Sequence, residues 1–416
     1  WCADNFFIIN AIKSGVSFHG TPPKIMPAFW FGDDPVEIVK WYLYVGTYFK
    51  TGDYRSFSSL FQMHYTEKAK KARKTAHAVL HIESMIGALP VHEATTLYMG
   101  CVDPHLTYGC EVTIDTCNSS SDVIYDVQKS FYRRLLGLSK TSIIAAIFAE
   151  TGIMPLKHRR FLLQVRFLDY LLTRPLDCLA RTALNDSINL HLCNKPSWFS
   201  DLIEVKSNLC PHLTFPNANH LLTATSAESL GDYSKSIFSA ASQWVQNELF
   251  RVEKRSYLLC LRKEPQENGL VKYHTMCRRQ YLADVYNAQH RKALTRILAG
   301  DHSLAVVRLT WADNHHVPVP HNERLCRFCK CKVETPEHAM LECLHPPIIN
   351  MRASFLAKFY TIQPNAIPLC NTMDLRHYLA YIASCRLTFP ILAKWAFELT
   401  KFFNATPMLI PSQYRR

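Results

Sequence analysis

Cys326, Cys329, His338 and Cys343 follow the spacing C-x2-C-x8-H-x4-C. Few patterns restrict a local fold so tightly. Two cysteines three apart form a knuckle whose thiolates can share one ion, and a His and a Cys five apart can complete a tetrahedron from a following helical turn. Soft sulfur with imidazole selects zinc over magnesium or calcium. Four protein ligands leave no open position for water, so the site reads as structural. Ion binding would also fold a segment too short to have its own core. Cys331 offers a competing C-x-C and His345 a competing fourth ligand, and the spacing leaves both open.

The chain has 416 residues, 48% of them hydrophobic and 19% charged. That suits two or three structural units with real cores, and excludes a chain that is mainly disordered. With only 13 glycines, collagen-like and Gly-rich readings fail. Fifteen cysteines, most of them scattered singly, read as reduced thiols of a nuclear or cytoplasmic protein that is not secreted. No secretory leader and no long uncharged apolar run are visible, so no membrane partner is expected.

Lys and Arg number 47 against 34 acidic residues, a net +13. A surplus of that size favours a polyanionic partner through counterion release. It is also concentrated. Between Lys129 and Arg174, nine Lys/Arg face only Glu150 and Asp169. Between Arg251 and Gly300, eleven face Glu253, Glu264, Glu267 and Asp284. The rest of the chain is close to neutral.

Along the chain, residues 1–50 read as β-rich, from Phe6-Phe7-Ile8-Ile9, Val16-Ser17-Phe18 and the aromatic run Trp41 to Phe49. Residues 60–175 switch to helix. From Lys68 to Ile86, Ala69, Ala72, Ala76, Val79 and Met85 recur at spacings near three and four. Lys68, Lys70, Lys71, Arg73 and Lys74 fill much of its first turns, as a solvated face or as phosphate contacts. Asn118–Asp122 reads as a polar loop, Val123–Leu136 and Leu156–Leu172 as helices, and Tyr281–Leu298 as an amphipathic helix. The fold class is therefore α+β at the N-terminal end, then mainly α.

Phe31-Gly32-Asp33-Asp34 fits the F/Y-x-D-D pattern in which paired aspartates hold two Mg²⁺ ions. Such a site needs a carboxylate from an earlier strand, and only Asp4 precedes it. Pro35 follows directly, which suits an exposed turn better than a paired strand. No phosphate-binding Gly-rich loop, dinucleotide fingerprint or nucleophile elbow is present.

Several stretches together resemble the reverse transcriptases of non-LTR retrotransposons. Trp1-Cys2-x-x-Asn5 and Ile9-Asn10-x-x-Lys13-Ser14 resemble the segment after that family's Y-x-D-D motif, where Lys13 matches the motif D lysine. Tyr44-Val45-Gly46-x-x-Phe49 is similar to the primer-grip motif. Leu97-Tyr98, Val102-Asp103-Pro104, Tyr108-Gly109-Cys110-Glu111, Arg133 to Leu138 and Glu150-x-Gly152-x-x-Pro155-Leu156 resemble the thumb. The knuckle falls where that family has one. The resemblance covers about residues 1–175 and 285–345.

The resemblance implies a C-terminal fragment of an RNA-directed DNA polymerase. The motif A aspartate and the Y-x-D-D pair would lie before Trp1, so Mg²⁺ would belong to the complete parent enzyme and this chain would not polymerise alone. The implied parts are a palm remnant (1–58), a helical thumb (59–175), a helical linker (176–320), a CCHC zinc knuckle (321–350) and a helical tail (351–416). The implied partners are RNA and DNA, as a template–primer hybrid, and the upstream catalytic half. The thumb would grip that hybrid through Lys68, Lys70, Lys71, Arg73, Lys74, Arg133, Arg134, Arg159 and Arg160. Other readings are a stand-alone zinc-knuckle nucleic-acid-binding protein and the product of a decayed element copy.

Overall fold

The computed structural model describes residues 4–6, 9–18, 20–21, 23–52, 60–223, 233–265 and 271–416. Phe7 and Ile8 lie outside these, so the first apolar run is only partly described. The protein is mainly helical with a small N-terminal β region, as expected. No helix of the described residues is long and apolar enough to cross a membrane. The chain divides into two compact units. The first holds Trp1–Ala76, Met99–Gln128 and Pro155–Ala241, and the second holds His77–Tyr98, Lys129–Met154 and Ser242–Arg416. Residues 59–175 thus contribute to both.

In the first unit, strands β1 (Gly15–Val16), β2 (Phe29–Phe31) and β3 (Asp34–Ile38) form a sheet of order β1-β3-β2. β1 runs parallel to β3, and β2 pairs antiparallel with it, Phe29 opposite Val36 and Phe31 opposite Asp34. Gly32 and Asp33 form the exposed turn between them. Pro35, expected in a turn, is instead a paired strand residue opposite Trp30. Its missing N–H costs little there: beside a two-residue turn the second pair of an antiparallel hairpin is the one that exchanges no hydrogen bonds.

Strands β4 (Trp41–Tyr44) and β5 (Thr47–Lys50) form a second hairpin. Its turn residues Val45 and Gly46 both have positive φ, 45° and 76°, as a two-residue turn matching strand twist requires. A β-branched residue resists that conformation. The Tyr108 hydroxyl holds it by donating to the Val45 carbonyl at 2.6 Å, and a Cβ on Gly46 would lie 2.6 Å from the Tyr108 oxygen. Two of the resembling stretches therefore meet in space.

The basic helix runs Gln62–Ile86. Ala69, Ala72, Ala76 and Val79 are buried as their spacing predicts, whereas Met85 is exposed. Leu156–Leu172 is a helix with the predicted bounds. Asn118–Asp122, read as a loop, is the first turn of a helix Asn118–Leu136. The Ser121 hydroxyl donates to the Cys117 carbonyl at 3.1 Å. Ser, Asn and Asp are favoured in loops and at helix N-termini for the same reason, their side chains bonding nearby backbone, so composition does not separate the two.

In the second unit, the predicted helix Tyr281–Leu298 is broken into Tyr281–Asp284 and Ala288–Leu298. Asn287 starts the second piece by accepting the Gln289 and His290 amides at 3.0 and 3.1 Å, the work of an N-cap. Ala288–Leu298 and Pro346–Ile362 pack on the C-terminal helix Phe389–Asn404, whose Trp395 is buried and stacks on Phe355.

A buried ion network organises this unit. Glu150, at 0% exposure, accepts from Arg262 at 2.6 Å and from the Tyr281 hydroxyl at 2.5 Å. Arg279 lies 3.4 Å from the same carboxylate and 3.3 Å from Glu264, so two cations face two anions. Gly152 follows at φ +68°, where a Cβ would sit 2.7 Å from the Arg278 backbone nitrogen. The E-x-G pattern is thereby a packing rule: the carboxylate is anchored and the chain passes too close for a side chain. Replacing Glu150 by Leu strands the Arg262 guanidinium in the core, at an expected cost of about 3–5 kcal/mol. Urea unfolding followed by circular dichroism measures it, and a loss below about 1 kcal/mol would show that the network contributes little.

Candidate metal centre and basic helix

The knuckle is a short hairpin. Leu325 pairs antiparallel with Val333, the Cys326 amide donates to Lys332 O at 2.8 Å, and the Lys330 amide returns to Cys326 O at 3.0 Å. Lys330 takes φ +58° to close it. The other two ligands sit at either end of a widened turn, where the Cys343 amide donates to His338 O at 2.8 Å. That i to i+5 bond explains the x4 spacing. In an α-helix, residues five apart point about 140° apart, whereas a π turn brings them onto one side.

The four ligand atoms lie within 4.8 Å of one another. Cys326 Sγ and Cys343 Sγ are 3.8 Å apart, and Cys329 Sγ is 3.3 Å from His338 Nε2. Cys326, His338 and Cys343 are buried. Among the described residues this is the cluster of His, Cys and acidic groups that can hold a metal ion. The two competitors are resolved against. Cys331 is exposed and its thiol donates to Cys329 O at 2.9 Å. His345 packs at a tilt against Phe328, ring centroids 4.7 Å apart.

Electrostatics favour a cation here. The hydrogen bond with Cys343, aided by burial, pushes the Cys326 thiol up to about 12, and the same bond draws Cys343 down. Burial works to lower His338, but hydrogen bonds to Cys326 and Glu342 raise it to about 9. The Cys326 thiol thus holds its proton through its hydrogen bond with Cys343 and burial, and a bound ion would displace it. Glu342 accepts from His338 Nδ1 at 3.1 Å, leaving Nε2 to face the ion. Lys332 pairs with Glu342 in turn. Such outer carboxylates orient ligating histidines.

The residues between the first two ligands point inward. Arg327 is buried and pairs with the fully buried Glu334 at 2.6 Å. Its guanidinium also donates to Phe403 O at 2.7 Å, Thr406 O at 2.8 Å and Ser303 O at 3.2 Å. Phe328 stacks on Phe402 and meets Phe403 edge-on. The loop is therefore tied to the C-terminal helix at its centre. Neither Arg327 nor Glu334 stood out in the sequence; an Arg inside C-x2-C is the one signal that was available.

The basic residues divide. Lys70, Lys71, Arg73 and Lys74 are exposed on the Gln62–Ile86 helix. Lys70, Lys71 and Lys74, three and four apart, share one face. Lys68 is buried, its ammonium 3.6 Å from the centroid of the Tyr108 ring. Arg134 and Lys13 are exposed. Arg133 is half-buried and bonds Ser142 Oγ and O, each at 3.1 Å. Arg159 pairs with Asp103 at 2.7 Å. Arg160 does not fit the nucleic-acid role expected of it. It is 1% exposed and pairs with Asp115 at 2.6 Å while donating to Leu106 O and Thr113 O. A guanidinium closed off from solvent and spent on core carbonyls and a carboxylate cannot reach a phosphate. Asp115, which also accepts from Tyr65 and Tyr125 at 2.8 and 2.7 Å, is the partner the sequence did not reveal.

Comparison of the chain with protein-family models, curated proteins and solved structures finds no match.

Among the described residues the geometry offers a site for one metal ion. Native mass spectrometry should find it in the wild type, in Cys331→Ser and in His345→Ala, and should lose it in Cys326→Ser and Cys343→Ser. Chelation should also lower the thermal midpoint of the wild type, because binding energy here is folding energy. A metal-free wild type would end the assignment.

Proposed function

We propose that the chain is the C-terminal part of a reverse transcriptase of the non-LTR type, one that grips a template–primer hybrid and carries a structural zinc knuckle. The observation that carries the nucleic-acid part is the basic face of the Gln62–Ile86 helix. Lys70, Lys71 and Lys74 stand exposed on one side, with Glu67, 3.8 Å from Lys70, the nearby carboxylate. A solvated helix in a neutral protein usually mixes signs at such spacings. One-sided charge on a helix free of catalytic carboxylates suits backbone contact, which positions a duplex without reading its sequence. The order of the resembling stretches supplies the family.

Zinc is supported by ligand chemistry and size. At a Zn–S length of about 2.3 Å, tetrahedral sulfurs stand about 3.8 Å apart, the separation of Cys326 and Cys343. With all four positions taken by protein, the ion's part is to hold the loop. The inward turn of Arg327 and Phe328 supports a bracing role for the knuckle over a direct nucleic-acid contact. Two-metal Mg²⁺ chemistry would belong to an upstream catalytic half, and in this reading the chain alone gives no primer extension.

Reversing Lys70, Lys71 and Lys74 together to Glu should weaken binding to an RNA–DNA hybrid and flatten its salt dependence, by about 0.9 in log–log slope for each phosphate no longer neutralised. Fluorescence anisotropy across a salt series measures both. Unchanged affinity and slope would overturn the proposal.

A further inference from the structure

A second group of basic side chains, in the second unit, is left uncancelled. Arg134, Lys140, Arg255 and Arg296 make no ion pair among the described residues, and they frame one loop, 137–142. Arg296, on the helix Ala288–Leu298, donates its Nε–H to Gly137 O at 2.5 Å. Arg255, on the helix Glu253–Leu261, donates its Nε–H to Gly300 O at 3.1 Å and reaches Thr141 O at 3.5 Å. Lys140 stands exposed between the two carbonyls of the loop that these arginines bind. Arg134 is exposed in the last turn of the helix that leads into the loop, its carbonyl accepting the Gly137 amide at 3.2 Å. Asp301 is buried and accepts from the Ser139 amide and hydroxyl at 2.6 and 2.5 Å, so that carboxylate holds the loop in place.

The way the arginines are tied matters. A guanidinium carries five N–H donors in a rigid fork. Bound at Nε to a backbone carbonyl, it is oriented while most of its terminal N–H groups remain for another acceptor. Arg296 is exposed and Arg255 is half-buried. Gly137 and Thr141 are four residues apart, so the loop carbonyls that meet the two arginines lie at most about 14 Å from each other. Arg255 also lies over the Trp311 indole, 4.8 Å from the ring centroid. Trp311 is 46% exposed, so an aromatic surface held by a cation borders the basic loop. Gly300 takes φ +61°, and a Cβ there would sit 2.2 Å from Arg255 O. The backbone that carries Arg255 is thereby pressed against the turn its side chain binds.

We infer that Arg134, Lys140, Arg255, Arg296 and Trp311 form a contact surface for single-stranded nucleic acid. Uncancelled cations on a fixed loop suit a phosphate backbone. Trp311 selects a strand over a duplex. Bases within a duplex are stacked on one another, whereas an unpaired base can stack on an indole or a guanidinium plane. The inference deepens the function proposed above and rests on its nucleic-acid reading, but it uses residues of the second unit, whereas Lys70, Lys71 and Lys74 belong to the first.

The test is anisotropy on the full chain with two labelled probes, an oligothymidylate and a blunt RNA–DNA hybrid, across a salt series. Arg255→Gln and Arg296→Gln should each weaken the oligothymidylate by about three- to tenfold and lower its log–log salt slope by about 0.7. Trp311→Leu should weaken it by about fivefold or more and leave the slope unchanged, because stacking releases no counterions. Lys140→Gln, at an exposed position, gives the charge readout if the Arg255 variant does not fold. Hybrid affinity should stay near wild type throughout. Oligothymidylate binding that is the same in wild type, Arg296→Gln, Lys140→Gln and Trp311→Leu overturns the surface and leaves the proposed function standing. Losses that fall equally on both probes overturn the single-strand assignment. A wild type that binds the hybrid but not the oligothymidylate overturns this inference alone, and one that binds neither overturns the proposed function with it.

Discussion

A carboxylate cannot be taken out of water without cations or donors to meet it, and the second unit is arranged around one. Glu150 ends the helix Ile144–Thr151 and is met by Arg262, Arg279 and the Tyr281 hydroxyl. Tyr281 passes the network on to Thr295 at 2.9 Å. Segments far apart in sequence are thereby required to share one point. Apolar packing tolerates some sliding of one helix on another. A buried ion pair does not, because a shift of an ångström leaves a charge unpaired. Glu150 thus fixes the placement of the helices, and Gly152 permits it by letting the strand-like segment at Arg278 come close.

The same rule sorts the basic charge of the first unit. Asp115 meets Arg160, Tyr65 and Tyr125 in the core, and Asp103 meets Arg159. Those arginines serve the fold. Among the described residues Lys71 and Lys74 have no such anchor, Lys70 meets only Glu67 of its own helix, and all three remain on the surface. A net charge of +13 is therefore not all available to a partner. Part of it is the positive half of internal pairs. Only the residues left over can neutralise phosphates.

At the knuckle, internal pairing and the candidate metal site share the same loop. Glu334 accepts the Arg327 amide and guanidinium and the Ala305 amide. The ligands face one way and Arg327 and Phe328 face the other, toward the C-terminal helix. A bound ion and the buried ion pair would hold opposite sides of one hairpin. Either alone would leave a short segment with little core of its own.

Features set by local spacing could be read directly. The Cys/His cluster that can hold a metal, the helix Leu156–Leu172 and the buried alanine face of the basic helix are all of this kind, since thiolate chemistry and helical period are properties of neighbouring residues. Where local chemistry is ambiguous, the reading went astray. The serines before Val123 serve a loop or a helix start equally, Asn287 divides an apolar pattern that looks continuous, and Pro35 sits in a strand position that needs no N–H. The fate of each charged side chain was beyond local reading altogether. Arg160 and Lys70 are alike in sequence, both basic residues in helical, basic surroundings. Asp115 pairs with the first across 45 residues, and nothing comparable reaches the second. Sequence by itself determined which residues could ligate a metal and which stretches would be helical. Tertiary structure alone decided which charges were cancelled inside, because that depends on partners brought together only when the core closes.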